Sequence, residues 1–223
     1  GLFFLWLALL DGVLIVPPPP SERNTRSKVF CIGLSRTGTT SITVALQQLG
    51  YHAHHQCCDL VKLGEKPAVV PYWAEAFDAT SDVAPATVLE ELASLYPDAR
   101  FVLTQRDPRR WGEAMVRFCT QNAFIFKVPV PPVKAIFDAI YGAGWEAYTP
   151  AAWADVYAAH ERRVDACFAS QPHRLLRLNI TGGEGWPELT SFLAETEKGS
   201  ADAVADADAA AAVAHARPEE LGP

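Results

Sequence analysis

The stretch at 28–50 constrains the fold of this chain more than any other. It opens with a β-branched and aromatic run at 29–32, which predicts a buried strand. A loop bracketed by Gly33 and Gly38 follows, and apolar residues then recur at helical spacing over 42–49. Unpaired backbone N–H groups and the helix dipole converge where such a helix begins, so the sequence predicts an anion cradle whose ligand is a phosphate. The alternative is a turn between strand and helix that binds no ligand.

The residues inside this loop distinguish it from an ordinary nucleotide-binding loop. Its G-x-x-x-x-G length fits, but Thr39 stands where an NTPase carries the lysine that reaches the β- and γ-phosphates. This difference argues against ordinary ATP or GTP hydrolysis. The cation lies inside the loop instead, at Arg36, and hydroxyl groups surround it. The residues that carry them are Ser35, Thr37, Thr39, Thr40 and Ser41.

The run RTGTT at 36–40 resembles the 5′-phosphosulfate loop of the sulfotransferases, a P-loop-type family that uses 3′-phosphoadenosine 5′-phosphosulfate (PAPS) as sulfuryl donor. The segment FDATSDVAPATVLEELASLYPDARFVLTQRDPRRW at 77–111 is similar to one branch of this family, and apolar spacing within it predicts a helix at 86–95. A strand at 174–180 and a last helix at 185–193, with Trp186 at its start, match the family's closing pattern. The resemblance covers roughly residues 28–194. It implies an α/β fold, with a single P-loop-type domain whose central parallel sheet is flanked by helices in three layers.

By this resemblance, PAPS is the co-substrate and no metal takes part. The residues expected to bind it are Ser35, Arg36, Thr37, Gly38, Thr39, Thr40 and Ser41 in the loop, and Arg106 at the 3′-phosphate. The planar guanidinium of an arginine suits that second task. Two positions depart from the family pattern. Ala114 replaces a serine that usually follows the arginine by eight residues, and Ser41 replaces the aromatic residue that stacks on adenine in many members, so another residue must supply that platform.

Sulfuryl transfer by in-line displacement needs charge stabilisation at the leaving phosphate and a base for the acceptor proton. Arg36 is the predicted source of charge. The candidate bases are Asp82, at the end of a predicted strand, and one of His52, His54 or His55, of which His52 is selected as the catalytic candidate. Asp82 is preferred because longer relatives place a catalytic histidine at this strand end, although a helix cap or turn also explains it. The three histidines are predicted to lie in a polar loop at the rim of the cleft rather than to bind metal.

Composition and segment character indicate partners and location. The net charge of −7 argues against a nucleic-acid partner. The resemblance to the sulfotransferases implies a small-molecule or glycan acceptor. We predict an apolar segment and proline-rich linker at 1–25, a sulfotransferase-like domain at 26–195 and an alanine- and aspartate-rich tail at 196–223. The apolar run at 2–16 is shorter than the roughly 20 residues of a membrane span. It is a signal-anchor remnant, a signal peptide or a gene-model artefact. The expected location is cytoplasmic, or Golgi or another membrane if the run is part of an anchor.

Two other functions fit parts of the sequence. A catalytically inactive relative that only binds ligands is suggested by Ala114 and by the absence of the family's usual C-terminal continuation after the domain. An ATP-dependent small-molecule kinase would use the same loop, with Asp82 as its magnesium-binding aspartate. The five cysteines are an odd number without C-x-x-C spacing, which indicates reduced or buried thiols and argues against a zinc site.

Overall fold

The computed structural model describes residues 27–55, 60–122 and 131–194. The predictions for the N-terminal segment at 1–25 and for the tail at 196–223 therefore lie outside the described residues, and the proposed domain bounds stay predictions. Among the described residues, no helix combines the length and the apolar character that crossing a bilayer requires.

A five-stranded parallel sheet forms the centre of the domain. In the described residues its strands run in the order β2-β5-β1-β6-β7, and a short antiparallel pair, β3 and β4, lies apart from it. The strands are β1 (Val29–Cys31), β2 (Ala53–His55), β3 (Val61–Lys62), β4 (Ala68–Val69), β5 (Ala79–Ser81), β6 (Arg100–Thr104) and β7 (Leu175–Leu178). Because β1 lies between β5 and β6, the loop that follows it opens at the centre of the sheet's carboxyl edge, where open α/β sheets bind ligands.

The helices alternate with these strands along the chain. Those described are α1 (Thr39–Gln48), α2 (Pro71–Ala76), α3 (Val83–Thr87), α4 (Leu89–Leu95), α5 (Pro108–Gln121), α6 (Pro131–Tyr141), α7 (Pro150–Phe168) and α8 (186–194). The two longest, α5 and α7, begin in the same way. The side chains of Asp107 and Thr149 accept hydrogen bonds from backbone N–H groups of the first turn, and a proline occupies the first helical position of each.

Side-chain alternation in the strands builds one core on each face of the sheet. Phe30 and Phe101 face the side covered by helices α3 to α7, and their rings lie 5.5 Å apart. Val29 and Val102 point to the opposite face, which α1 and α8 cover. Burial on both faces explains why these strands read as continuous apolar runs. The predicted α/β fold, with a central parallel sheet flanked by helices, is confirmed.

Two predictions about local structure were wrong. The histidine-rich segment after α1 is not a loop at 53–55, because these residues form β2 and pair in parallel with β5, with His54 opposite Thr80. An edge strand accommodates polar side chains, and its backbone partner is distant in sequence, so local composition cannot reveal it. The single helix predicted for 86–95 is two helices, since Val88 leaves the helical region at φ −113° and ψ 31°.

Candidate active site

The loop between β1 and α1 is held by a hydrogen-bonded turn centred on Thr37. Its backbone N–H and its hydroxyl both donate to the carbonyl of Leu34, over 3.2 and 2.7 Å. The Oγ1 atoms of Thr37 and Thr104 lie 2.6 Å apart, which joins the loop to the end of β6. Thr37 is completely buried. Its hydroxyl, predicted to contact a ligand, therefore holds the loop in shape.

Ser35 fixes the other side of the loop. Its carbonyl accepts a hydrogen bond from Nε1 of Trp111 (2.8 Å), and its N–H donates to the hydroxyl of Tyr141 (3.1 Å). Its own hydroxyl donates to Oδ1 of Asp82 (3.1 Å), directly after β5. Helices α5 and α6 thus anchor the backbone of the loop, while the serine side chain connects it to a carboxylate. Nothing in the spacing of Trp111 or Tyr141 predicted these contacts.

The backbone is strained at two points of this region. In the described part of the chain, Arg36 (φ 71°) and Asp82 (φ 83°) are the non-glycine residues with positive φ. Such conformations cost about 1–3 kcal/mol each and cluster at functional sites. Gly38, at φ 110°, precedes α1, and no side chain in the described residues caps that helix. The exposed side chains of Arg36, Thr40 and Ser41 flank this helix start, so its N–H groups can bind an anion.

We expect Gly33→Ala to lower the free energy of unfolding by about 1–3 kcal/mol. A Cβ at Gly33 would lie 1.9 Å from Oγ1 of Thr104 and 2.8 Å from Oγ1 of Thr37, so it would force the two hydroxyls apart. Gly64→Ala is the matched control, because its nearest neighbour, the carbonyl of Lys66, is 3.8 Å away. Urea unfolding monitored by tryptophan fluorescence measures both. Equal losses of stability in the two variants would contradict the tight fit at Gly33.

Arg106 joins the cradle from the end of β6. Its backbone N–H donates to the hydroxyl of Tyr157 (3.0 Å), and Nη1 donates to the carbonyl of Arg36 (3.0 Å). The guanidinium carbon of Arg36 lies 5.7 Å from the ring centre of Phe118 on α5. Two arginines from different strand ends therefore meet at the same edge of the sheet. The departure at Ala114 falls on the buried face of α5, where this residue is 6% exposed.

Asp82 and His55 form an ionisable pair beside the loop. Nε2 of His55 is 4.0 Å from Oδ2 of Asp82 and 3.2 Å from the hydroxyl of Thr40. Burial raises the pKa of Asp82, while His55 and the Ser35 hydroxyl act in the opposite direction. Burial likewise lowers the pKa of His55, and Asp82 opposes that change. Asp82 precedes α3 without capping it by its side chain.

The other two histidines point elsewhere. The ring of His52 lies 4.8 Å from that of Phe77, with Nδ1 3.3 Å from the carbonyl of Ala76. The ring of His54 stacks on Phe77 at 4.7 Å. His55 is thus the histidine that the structure brings to Asp82, whereas His52, the one singled out from the sequence, contacts the segment before β5. Its proposed catalytic role stays a prediction without a contact to the cradle.

A cleft of about 380 Å³ opens next to the cradle, between α1 and the segment that leads into α8. Residues from both sides line it, among them Thr40, Ser41, Ala45, Gln48, Ile180 and Trp186. Trp186 is 47% exposed, a large fraction for an apolar side chain of this size. The sequence placed Trp186 at the start of the last helix, but no local signal connected it with Ser41, 145 positions earlier in the chain.

In the described ranges, no group of three or more His, Cys, Asp or Glu side chains is placed so that it could hold a metal ion. Three of the five cysteines fall in these ranges, and Cys31, Cys119 and Cys167 are free thiols. Burial raises the pKa of the Cys31 thiol, so it behaves as an apolar core residue.

Comparison with known proteins gives matches of two kinds. A family model described as a sulfotransferase domain matches residues 28–198, which is most of the chain. Ava biosynthesis cluster protein M of Aspergillus versicolor is 26% identical over 178 residues. That alignment covers 71% of this chain and 58% of the relative, so the chain spans somewhat more than half of the relative's length. From the family match over most of its length, this chain belongs to the sulfotransferase domain family.

Proposed function

We propose that this protein is a sulfotransferase that transfers a sulfuryl group from PAPS to a hydroxyl or amine of a small-molecule or glycan acceptor. The observation that carries the proposal is the 3.1 Å hydrogen bond from Ser35 to Asp82, which places a buried carboxylate at the anion cradle. Membership of the sulfotransferase domain family supports the same reaction class. PAPS supplies the activated sulfuryl group, bonded to a phosphate oxygen.

The residues of the cradle fit a phosphate-linked ligand. The open N–H groups at the start of α1, the Arg36 guanidinium and the Thr40 hydroxyl would hold the 5′-phosphate end. Arg106 would bind the 3′-phosphate from the neighbouring strand end. The cleft beside Ser41 would take the nucleoside, with Trp186 as the stacking platform that position 41 lacks.

Asp82 is the proposed base. It takes the proton of the acceptor hydroxyl, whose electron pair forms the new oxygen–sulfur bond. The electron pair of the bond that breaks remains on the leaving phosphate oxygen. The cradle's N–H groups and Arg36 stabilise the charge that develops there. Ser35 keeps the carboxylate oriented, and it also ties the base to the loop that holds the leaving group, which favours catalysis by positioning.

The test is isothermal titration calorimetry of the full chain with adenosine 3′,5′-bisphosphate and, separately, with ATP and magnesium. The proposal predicts binding of the bisphosphate and at least about tenfold weaker binding of ATP with magnesium. A screen of phenol, amine and sugar acceptors with radiolabelled PAPS should then yield a labelled product. Tighter binding of ATP would favour a kinase. Binding of neither nucleotide would point to a non-catalytic relative.

We expect Trp186→Ala to weaken binding of adenosine 3′,5′-bisphosphate by about 5- to 100-fold, the usual range for loss of a stacking platform. Calorimetry measures this change, and Trp186→Phe should recover most of the affinity. Tyr72→Ala is the matched control, since Tyr72 is another exposed aromatic residue, 56% accessible, and contacts Trp73. An affinity within twofold of the wild type in Trp186→Ala would remove this residue from the nucleoside site.

A further inference from the structure

The hydroxyl groups around His55 determine which of its ring nitrogens carries a proton. Thr43 uses its single hydroxyl proton to donate to the carbonyl of Thr39 (2.8 Å). The Ser81 hydroxyl, 2.5 Å from Thr43 Oγ1, must therefore be the donor in that contact. Its proton is then committed, so at the 2.9 Å contact with His55 it can only accept. Nδ1 of His55 thus carries a hydrogen in every protonation state.

Nε2 is consequently the atom of His55 that gains or loses a proton. It lies 4.0 Å from Oδ2 of Asp82, within the range of an ion pair, and 3.2 Å from the Thr40 hydroxyl of the cradle. The other carboxylate oxygen, Oδ1, accepts the hydrogen bond from Ser35. The proton-accepting atom of the imidazole therefore faces the proposed base on one side and a residue of the proposed phosphate site on the other.

We propose that His55 is a positioning residue for the base: its ring keeps a hydrogen on Nδ1, so the proton that it gains is carried on Nε2, where the resulting imidazolium favours the ionised form of the buried Asp82 carboxylate. This inference rests on the proposed sulfuryl transfer and deepens it. Asp82 is the group that takes the acceptor proton, and His55 acts on the reaction only through Asp82. The backbone at Asp82 has a positive φ of 83°, a conformation that clusters at functional sites.

Among the described residues that contact the pair, His55 is the one that can supply a positive charge. Tyr141 from α6 lies against the Ser35 backbone and senses the Asp82 charge; burial raises the pKa of this phenol, so it stays neutral. Helix α1 and strand β5 present hydroxyl groups, from Thr40, Thr43 and Ser81. Burial favours the protonated carboxyl, and an imidazolium at this distance favours the carboxylate.

A direct test follows the imidazole itself. In ¹⁵N-detected NMR of the full chain, the His55 signals should report the Nδ1–H tautomer at high pH. Asp82→Asn should lower the pKa of His55 by about one pH unit, because it removes the carboxylate that favours the imidazolium. Asparagine suits this exchange, since it tolerates a positive φ as aspartate does. The opposite tautomer, or an unchanged pKa in Asp82→Asn, would overturn the proposal.

The second test is the pH profile of kcat/KM. The reaction needs ionised Asp82, so activity should fall as the pH drops through the pKa of the pair. His55→Gln keeps a hydrogen-bonding side chain but loses the charge. Its acidic limb should move to higher pH by about one pH unit, with activity recovering at alkaline pH. His173→Gln should leave the limb in place, because His173 precedes β7 at the opposite edge of the sheet.

A purely structural role for His55 would lower kcat/KM by one factor at all pH values and leave the limb where it is, which would refute the inference. Failure of the proposed function has a different signature. In that case the wild-type chain yields no sulfated product and binds no adenosine 3′,5′-bisphosphate, while the NMR titration still measures whether Asp82 and His55 are coupled. Binding of the bisphosphate by His55→Gln within about twofold of wild type shows that the variant is folded.

Discussion

Asp82→Asn is expected to lower kcat/KM for sulfuryl transfer by about 10²- to 10⁴-fold, the range for loss of a positioned general base. The amide has almost the shape of the carboxylate and can accept the Ser35 hydrogen bond through its oxygen, so the loop should keep its geometry. The backbone at φ 83° is also tolerated by asparagine. The variant therefore removes a basic oxygen while preserving the fold around it.

Two further measurements show whether Asp82→Asn loses activity in the chemical step or through weaker donor binding. Binding of adenosine 3′,5′-bisphosphate, followed by calorimetry, should stay within about threefold of the wild type, because the carboxylate is assigned to the acceptor proton and not to the donor. Asp98→Asn, at an exposed carboxylate just before β6, is the matched control and should retain full activity. A kcat/KM for Asp82→Asn within threefold of wild type would exclude this residue as the base.

The fold was predictable because its signals are local. A strand of apolar residues, a loop between two glycines and a helix with apolar residues on one face follow directly from the spacing at 28–50. The parallel sheet follows from the alternation of strands and helices. Even the meeting of Arg106 with the loop could be foreseen, because both follow strands of one parallel sheet and leave it at the same edge.

The details of the site depend on contacts between distant segments. His55 could not be separated from His52 and His54 by composition, because the choice depends on the register of β2 against β5, where His55 pairs with Ser81. Trp186 reaches the neighbourhood of Ser41 only because α8 covers the same face of the sheet as α1. The internal role of Thr37 is equally invisible in sequence, since its hydroxyl partner, Thr104, belongs to another strand.

The structure shows where the two departures from the family pattern, Ala114 and Ser41, lie in the folded chain. Ala114 is buried on α5, so this position lacks the hydroxyl of the usual serine and remains almost inaccessible to solvent. In the proposed function, Arg106, whose guanidinium also contacts the Arg36 carbonyl, would hold the 3′-phosphate without a serine at position 114. Ser41 leaves space on the exposed side of α1, and the cleft shared with Trp186 occupies that side. The proposed function thus has Trp186 as a candidate replacement for the aromatic residue missing at position 41. For the serine missing at position 114 it relies on Arg106.

Arg36→Ala should reduce kcat/KM by about 10²- to 10³-fold, as expected when a fixed positive group that stabilises the leaving phosphate is lost. The effect on the fold should be small. Both residues carry a Cβ, so the strain at φ 71° is shared, and the hydrogen bond from Arg106 goes to the backbone carbonyl, which remains. Adenosine 3′,5′-bisphosphate should bind more weakly in calorimetry, and Arg36→Lys should recover part of the activity because it restores the charge without the planar fork.

Arg162→Ala, which removes an equal charge from an exposed position on α7, is the matched control. If Arg36→Ala and Arg162→Ala lose activity equally, net charge and not the cradle governs donor binding, and Arg36 has no special role in the transfer.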